Sequence, residues 1–287
     1  MSELSLGAAS STRRRGGRHG SNVGAHVVLI VGSLVMMFPF VWQVIASLST
    51  TPELTSIPPR LLPSVPHPEN FAAVFDQLPF LSQFAVSVLI TVLRVAGQLV
   101  LCAMAGYAFA RLRFPGRNVL FALVLAILMV PPQVFLISQY QIVQGLGWLD
   151  TIAGIVAPGL FSAFGAFLLR QFFLGLPDEL EEAARLDGAN PFQVFWSVML
   201  PLAKPGLSAL AVITVLTSWN DLLWPLIVST KPGVQPLSVG LATLQGQFST
   251  DYPVLMAAAL MASAPILILF LLMQRRVIDG LAFSGMK

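Results

Sequence analysis

The sequence predicts an all-α, polytopic membrane protein with six transmembrane helices. Hydrophobic residues make up 56% of the 287 residues and charged residues only 10%, against about 25% charged in a typical soluble domain. The apolar residues are gathered into long runs, and most Lys and Arg residues lie in the polar segments between them. This fraction of charged residues is too low for the surface of a soluble protein of this size. The apolar runs are therefore expected to lie in a lipid bilayer.

Six apolar segments are long enough to cross a bilayer, which takes about 20 residues at ~1.5 Å rise per residue. Pro131-Pro132 in the third segment and Pro158-Gly159 in the fourth predict kinks. The segments define a transmembrane domain over residues 26–287, with spans at about 27–48, 81–110, 119–142, 152–169, 207–228 and 253–273.

Residues 1–25 are rich in Ser, Gly and Arg, which predicts a disordered basic tail. When both termini are placed on one side, that side holds most of the 16 Lys and Arg residues, so both termini are expected in the cytoplasm. This topology accounts for the basic pI, and no nucleic-acid partner is expected. A twin-arginine signal at Thr12–Arg15 is a less favoured alternative, because the apolar run that follows is longer than a signal peptide's.

The residue content argues against chemistry at a metal or a nucleophile. The one cysteine, Cys102, excludes an internal disulfide and a Cys-clustered metal site. The sequence contains no H-E-x-x-H and no G-x-S-x-G, which disfavours an intramembrane enzyme. It also lacks G-x-x-x-x-G-K-[ST], the loop that usually cradles ATP phosphates. We therefore expect no catalytic residue, no metal site and no cofactor in this chain.

The loop over residues 175–204 begins with signals for a short helix. Pro177 suits the first helical position, and the acidic residues up to Glu182 suit the positive N-terminal end of the helix dipole. Gly188 suits the left-handed position just after the helix.

Signals for a second helix follow at once. Asn190 suits the N-cap and Pro191 the first helical position, and Pro201 and Pro205 are expected to end the helix. Helical spacing predicts one apolar face made by Phe192, Phe195, Trp196 and Met199. Such a helical hairpin at the cytoplasmic face suits docking to a partner, while an interfacial hairpin without a partner is the alternative.

This loop resembles the EAA loop of binding-protein-dependent ABC importer permeases. The family's pattern is E-A-A, three residues, Gly, nine residues and I-x-L-P, and this chain matches it with Glu182-Ala183-Ala184, Gly188 and Val198-Met199-Leu200-Pro201. Asp187 and Pro191 are also typical of the loop. Outside the loop, Ala105–Arg111 and Trp219-Asn220-Asp221 are similar to motifs of the carbohydrate subfamily, in particular of the maltose-type second permease subunit. The resemblance covers residues 25–287.

The resemblance implies the fold of a type I ABC importer permease (MetI-like) in the plasma or inner membrane. The subunit would pair with a second, different permease, with two ATPase subunits below and an external solute-binding protein above. ATP and Mg would be bound by the ATPases. Glu182 would make a charged contact to the ATPase, Ala183 and Ala184 would pack closely against it, and Gly188 would form the turn.

The expected solute is a sugar or oligosaccharide, and a glycerol phosphodiester, an amino sugar or a polyol is the alternative. A self-sufficient secondary transporter is an alternative of another class. That class usually has inverted repeats and an ion relay at mid-membrane, and it would leave the EAA loop unexplained.

Two charged residues, Arg94 and Asp221, lie inside predicted spans, where a charge is costly and usually meets a partner or a cavity. At 1.5 Å per residue they lie about 24 Å and about 21 Å above the cytoplasmic ends of their helices. Because the depths are comparable and the signs opposite, we expect the two to pair, directly or through Asn220. The pair either fixes helix packing or lines the solute path or its gate. A third possibility is that the two residues face different partners.

Overall fold

The computed structural model describes residues 23–58, 60–246 and 250–282. Most of the predicted basic tail, including Thr12–Arg15, therefore lies outside the described residues. The tail's predicted end at residue 25 is too late, because Val23, Gly24 and Ala25 already belong to the first helix.

Within the described ranges the backbone is helical, with short connections and no strand. Short 3₁₀ segments occur at Pro132–Phe135, Ala157–Gly159 and Pro232–Val234, and a π-helix occurs at Val194–Met199. In chain order the α-helices are α1 (Val23–Ser47), α2 (Thr51–Thr55), α3 (Glu69–Gln77), α4 (Phe80–Arg111), α5 (Arg117–Leu128), α6 (Leu136–Gly145), α7 (Ile152–Val156), α8 (Ala163–Leu174), α9 (Glu179–Leu186), α10 (Pro191–Gln193), α11 (Leu200–Leu202), α12 (Lys204–Trp219), α13 (Leu223–Val228), α14 (Leu237–Thr243) and α15 (Tyr252–Ala282).

The chain divides into two compact units, residues 1–43 and 44–287. The described part of the first unit is the stretch of α1 that ends at Gln43. Side chains from Gly24 to Val41 are exposed and mostly apolar. Because exposed apolar surface of this extent is unfavourable in water, lipid or another subunit is expected to cover it.

Several helices are long and apolar enough to cross a membrane. Three qualify alone, namely Gly24–Ser47, Phe80–Arg111 and Tyr252–Leu269. Three bent pairs qualify when each is taken as one span, with bends of 100°, 43° and 75° at residues 129–131, 160–162 and 203. The described residues thus hold up to six candidate spans. The count of six and the cytoplasmic side of the termini stay predictions.

The uninterrupted helix α4 lies at the centre of the second unit, where it packs against α8 and α12, and α12 packs in turn against α15. Toward the end of α4 at Arg111, a buried cluster joins Cys102, Tyr107, Leu169, Phe173, Phe195, Met199 and Leu210. Toward its beginning at Phe80, a second cluster joins Val74, Phe80, Leu237, Val254 and Ala257. The core of this unit is therefore built along one rigid helix.

Three of the predicted spans are broken rather than continuous, and in the fourth the helix ends at Gly159 and resumes at Ala163, where Pro158-Gly159 predicted a kink. In the third, α5 ends at Leu128 and helix resumes at Pro132 with a bend of 100°, which is sharper than the kink expected at Pro131-Pro132. In the fifth, predicted over 207–228, α12 ends at Trp219 and α13 begins at Leu223. Proline lacks the N–H that would bond the carbonyl four residues earlier, so Pro225 disfavours an unbroken helix through Asp221.

Candidate functional site

The docking hairpin, residues 175–204, follows α8 directly. Its first helix, α9, starts at Glu179, not at Pro177 as predicted. The backbone N–H groups of Glu181 and Glu182 both donate to the carbonyl of Asp178, at 3.0 and 3.1 Å. Asp178 is therefore the first residue whose carbonyl joins the helical pattern, and Pro177 lies just outside it.

The turn after α9 follows the sequence prediction. Gly188 has φ 87°, in the left-handed region where a side chain would be strained. The N–H of Gly188 donates to the carbonyl of Arg185 at 3.0 Å, and the N–H of Ala189 donates to the carbonyl of Ala184 at 3.0 Å. This is a Schellman motif, which satisfies the free carbonyls at the helix end.

The start of the second helix also follows the prediction. The side chain of Asn190 accepts from the N–H of Gln193 at 2.9 Å, and the side chain of Gln193 accepts from the N–H of Asn190 at 2.9 Å. As predicted from Pro201 and Pro205, the second helix ends between these prolines, because the helical run from Pro191 stops at Leu202 and the chain then turns by 75° into α12. Pro205 lies in the first turn of α12, where a missing N–H costs little.

The apolar face predicted for the second helix is divided in the structure. Phe195 and Met199 are buried, whereas Phe192 and Trp196 are exposed, and Val194 is buried in their place. The cause is the π-helix, in which the N–H of Leu200 donates to the carbonyl of Phe195 five residues earlier. With i→i+5 bonding, residues five apart share a side of the helix, so Val194 and Met199 point inward together.

The EAA residues of α9 and those of the turn after it lie mostly on the exposed side of the hairpin, whereas Met199 of the resemblance is buried. The structure leaves Ala184 half-buried and exposes Glu182, Ala183, Asp187, Gly188 and Pro191. The inward carboxylate is the preceding residue, Glu181, which sequence reasoning missed. Its side chain accepts from the Tyr107 hydroxyl at 2.9 Å and from Arg185 at 2.7 Å. The i,i+4 spacing to Arg185 is a signal for the second contact, but no local pattern indicates the first.

Arg111, the last residue of α4, attaches the hairpin to the transmembrane helices. Its guanidinium donates to the carbonyl of Phe173, at 2.6 Å from Nη2, and to the carbonyl of Leu176. It also forms an ion pair with Asp178. These contacts join the end of α4, the end of α8 and the start of α9.

The second candidate site surrounds a buried arginine. We call it the Arg94 hub, and it consists of Arg94, Ile155, Gly159 and Asp221. Nη1 of Arg94 donates to Oδ2 of Asp221 at 2.7 Å, and Nη2 donates to the carbonyl of Ile155 at 2.7 Å. The predicted pairing is therefore direct. Asn220 takes no part, because its amide donates to the carbonyl of Leu216 at 2.8 Å. The side chains of Arg94 and Asp221 are 8% and 24% exposed, so the cation is the more deeply buried partner.

Gly159 lies directly against the guanidinium. A Cβ at this position would be 2.7 Å from Nε of Arg94, which is closer than a Cβ can approach without displacement. Nε is buried and has no hydrogen-bond partner in the described chain. The carbonyl of Gly159 accepts from the Gln98 amide at 2.9 Å, so a second side chain of α4 holds the same segment.

Prolines leave two backbone carbonyls near the hub without a helical donor. Pro158 has no N–H for the carbonyl of Gly154, which accepts instead from the Trp224 indole at 3.1 Å. Pro225 has none for the carbonyl of Asp221, which accepts from the Ser238 hydroxyl at 2.7 Å. The side-chain bond from Trp224 thus ties the break after α7 to α13, and the bond from Ser238 ties α14 to the break before α13.

The chemistry of the two sites is electrostatic and mechanical. Among the described residues, no three His, Cys, Asp or Glu side chains come together in a way that could hold a metal ion. One site is a capped hairpin, and the other is a buried ion pair where candidate spans break.

Bent and broken candidate spans around one uninterrupted helix, with a capped helical hairpin beside them, are the features of an integral membrane transport subunit. Residues 98–281 match the family described as the binding-protein-dependent transport system inner membrane component. The chain belongs to this family and is a permease component of an ABC importer, which works with an ATPase and a binding protein.

Curated relatives support the family over nearly the full length. The chain is 36% identical to the arabinooligosaccharides transport system permease protein AraQ of Halalkalibacterium halodurans, over 89% of this chain and 92% of the relative. It is also 36% identical to the sn-glycerol-3-phosphate transport system permease protein UgpE of Yersinia enterocolitica, over 93% of this chain and 98% of the relative.

Solved structures support the type I (MetI-like) permease fold. A chain of a bacterial ABC transporter involved in the import of the acidic polysaccharide alginate superposes with a TM-score of 0.78 at 25% identity, over 88% of this chain and 95% of that chain. A chain of the MetNI methionine ABC transporter in an inward-facing conformation gives a TM-score of 0.54 at 20% identity over 68% of this chain, which supports the fold alone.

Proposed function

We propose that this chain is one of two different permease subunits of an ATP-driven importer, and that it forms half of the solute path. Two ATPase subunits, which bind ATP and Mg, dock on its cytoplasmic side, and a solute-binding protein docks outside. Both termini lie in the cytoplasm. The observation that carries the proposal is the docking hairpin, whose caps hold an exposed Glu182 and Ala183 on a rigid support.

In this proposal the outer side of the hairpin enters a cleft of the ATPase. Glu182 makes the charged contact, Ala183 and Ala184 allow close approach, and Gly188 sets the turn. Asp187 and Pro191, which are also exposed, belong to the same contact surface for the ATPase. The proposal is supported by exposure, because Glu182 has no ion-pair partner in the described chain and its charge is free for another subunit.

The break between α12 and α13 is proposed to shape the gate of the solute path. The Arg94–Asp221 pair holds the break in place from one side, and the exposed Asn220 presents an amide on the other. A buried pair at this depth fits a packing role better than direct contact with solute, because Arg94 is already engaged by an anion and a carbonyl. The pair thus acts on the path through the shape of the break.

The proposed solute is a sugar or an oligosaccharide, as for the arabinooligosaccharide relative and the alginate transporter. Glycerol 3-phosphate is the second candidate, because the permeases for that solute are equally similar in sequence. Titrating the cognate binding protein with arabinotriose and with sn-glycerol 3-phosphate separates the two by calorimetry.

Co-purification from mild detergent tests the docking proposal. A second permease and an ATPase are expected to come with the tagged chain, and Glu182→Lys should abolish recovery of the ATPase. Asp76→Lys is the matched control, because it makes the same charge change on an exposed carboxylate of α3, away from the hairpin. A chain that purifies alone and moves solute in vesicles without ATP contradicts the proposal and favours a secondary transporter.

A further inference from the structure

Glu181 differs from the other acidic residues of α9. Its neighbours Glu179 and Glu182 are exposed, whereas Glu181 is 6% exposed. A buried carboxylate is unfavourable unless donors compensate for lost hydration. The donors are Arg185 and Tyr107. Because Arg185 belongs to the same helix, Tyr107 is the donor that ties Glu181 to the transmembrane helices.

The position of Tyr107 is fixed from several sides. It is a buried residue of α4, and its ring packs edge-on against Phe173 of α8 at 5.6 Å between centroids. It also contacts Phe195 of the hairpin's second helix at 5.1 Å. The hydroxyl is therefore held in a fixed position against Glu181.

The other polar contact between α4 and the start of α9 is the Arg111–Asp178 ion pair. Asp178 is 77% exposed, so water and salt weaken that pair. The bond from Tyr107 to Glu181 is shielded from both. It is the better shielded of the two connections between α9 and α4.

Helix α4 carries this connection into the membrane. It is continuous from Phe80 to Arg111, and Arg94 lies 13 positions before Tyr107, a rise of about 20 Å. The same helix is thus joined to the docking hairpin near one end and to the Arg94 hub in its middle. A displacement of the hairpin that α4 follows reaches the broken spans without any intermediate loop.

We propose that Tyr107 and Glu181 are positioning residues for coupling, whose hydrogen bond makes α4 move together with the docking hairpin when the ATPase acts. This inference rests on the proposed docking of the hairpin to the ATPase. A contact that persists in both conformational states makes the two groups it joins move together. A contact that differs between the states shifts the equilibrium between them. A shielded bond between two rigid helices is a contact of the first kind.

The test measures whether α4 follows the hairpin in the whole complex in nanodiscs. Cys102 is replaced by Ala, and spin labels are placed at Leu81 on α4 and Leu180 on α9, which are both exposed. With Mg²⁺ and a non-hydrolysable ATP analogue, the distance between labels is expected to stay constant in the otherwise unchanged chain. In Tyr107→Phe, which removes only the hydroxyl, the analogue should shift that distance by about 2 Å or more.

A control variant, the melting temperature and co-purification of the ATPase separate coupling from stability and from docking. Tyr140→Phe, on the half-buried tyrosine of α6, should behave as the unchanged chain. A shift that the analogue produces in the unchanged chain, or its absence in Tyr107→Phe, overturns the inference. If Tyr107→Phe lowers the melting temperature but the analogue produces no shift in the distance between the labels, Tyr107 has a purely structural role and the inference is also overturned. If the ATPase does not co-purify with the unchanged chain, the proposed function itself fails.

Discussion

The docking hairpin and the Arg94 hub are held together in opposite ways. In the hairpin, the bonds that set the shape join residues three to five positions apart, such as Asn190 to Gln193 and Ala189 to Ala184. In the hub, Arg94 meets Ile155 61 positions away and Asp221 127 positions away. The hairpin can therefore keep its shape while it moves as a body, whereas the hub exists only while several helices keep their relative places.

The difference has an energetic side. Exposed local bonds of the hairpin exchange readily with water, so each contributes little. The buried charge of Arg94 has no such replacement, and losing its anion leaves it uncompensated. We therefore expect substitutions in the hub to cost more stability than substitutions in the hairpin.

The largest effect is expected from Asp221→Leu. It leaves the buried guanidinium of Arg94 without its anion and should lower the free energy of unfolding by about 3 kcal/mol. Reversible unfolding in mixed micelles measures it. The double variant Arg94→Met/Asp221→Leu should recover much of the loss, because no unpaired charge remains. Equal instability of the single and double variants would show that packing, not charge, holds the hub.

A smaller loss is expected from Gly159→Ala. The new Cβ would lie 2.7 Å from Nε of Arg94, so the guanidinium must shift away from Ile155 or Asp221. We expect a cost of about 1–3 kcal/mol, measured by the same unfolding experiment. Gly145→Ala at the end of α6 is the matched control, because nothing lies within 4 Å of its added Cβ. If both variants lose the same stability, the close approach at Gly159 is not the cause.

In the hairpin, Gly188→Val should cost about 1–2 kcal/mol, because a β-branched residue is strained at φ 87°. The space around the added Cβ is open, so the cost comes from the backbone alone. Gly188→Asn should cost less, since Asn tolerates the left-handed region. Melting temperature and ATPase co-purification are the measurements. A larger loss from Asn than from Val would contradict the Schellman geometry.

The smallest effect is expected at Glu53, outside the membrane. Backbone N–H groups of Ser64 and then Thr50 lower the pKa of its carboxyl from 4.5 to about 2. Because the folded-state pKa is depressed, the contribution is present above pH 4.5 and is lost as pH falls from 4.5 toward 2. Glu53→Gln should flatten the dependence of melting temperature on pH within that window. An unchanged pH profile would mean that these bonds do not persist in solution.

Local sequence rules account for much of the hairpin and for part of the hub. Gly188 and the Asn190–Pro191 pair were predicted correctly because a left-handed turn and an N-cap depend on a few adjacent residues. The Arg94–Asp221 pair was also predicted from the sequence, because two opposite charges at similar depth in a bilayer have few other partners. The start of α9 and the π-helix were not predicted, since contacts with neighbouring helices alter the backbone there.

The sequence by itself determined the membrane class, the hairpin with its turn, and the two charges that needed each other, because hydropathy, caps and burial of charge act over short stretches or on single groups. Only the tertiary structure decided that Glu181 points inward while Glu182 points out, that Tyr107 meets it, and that Trp224 and Ser238 satisfy the carbonyls left by Pro158 and Pro225. Those contacts join segments far apart in the chain, and the position of each depends on how every helix between them packs.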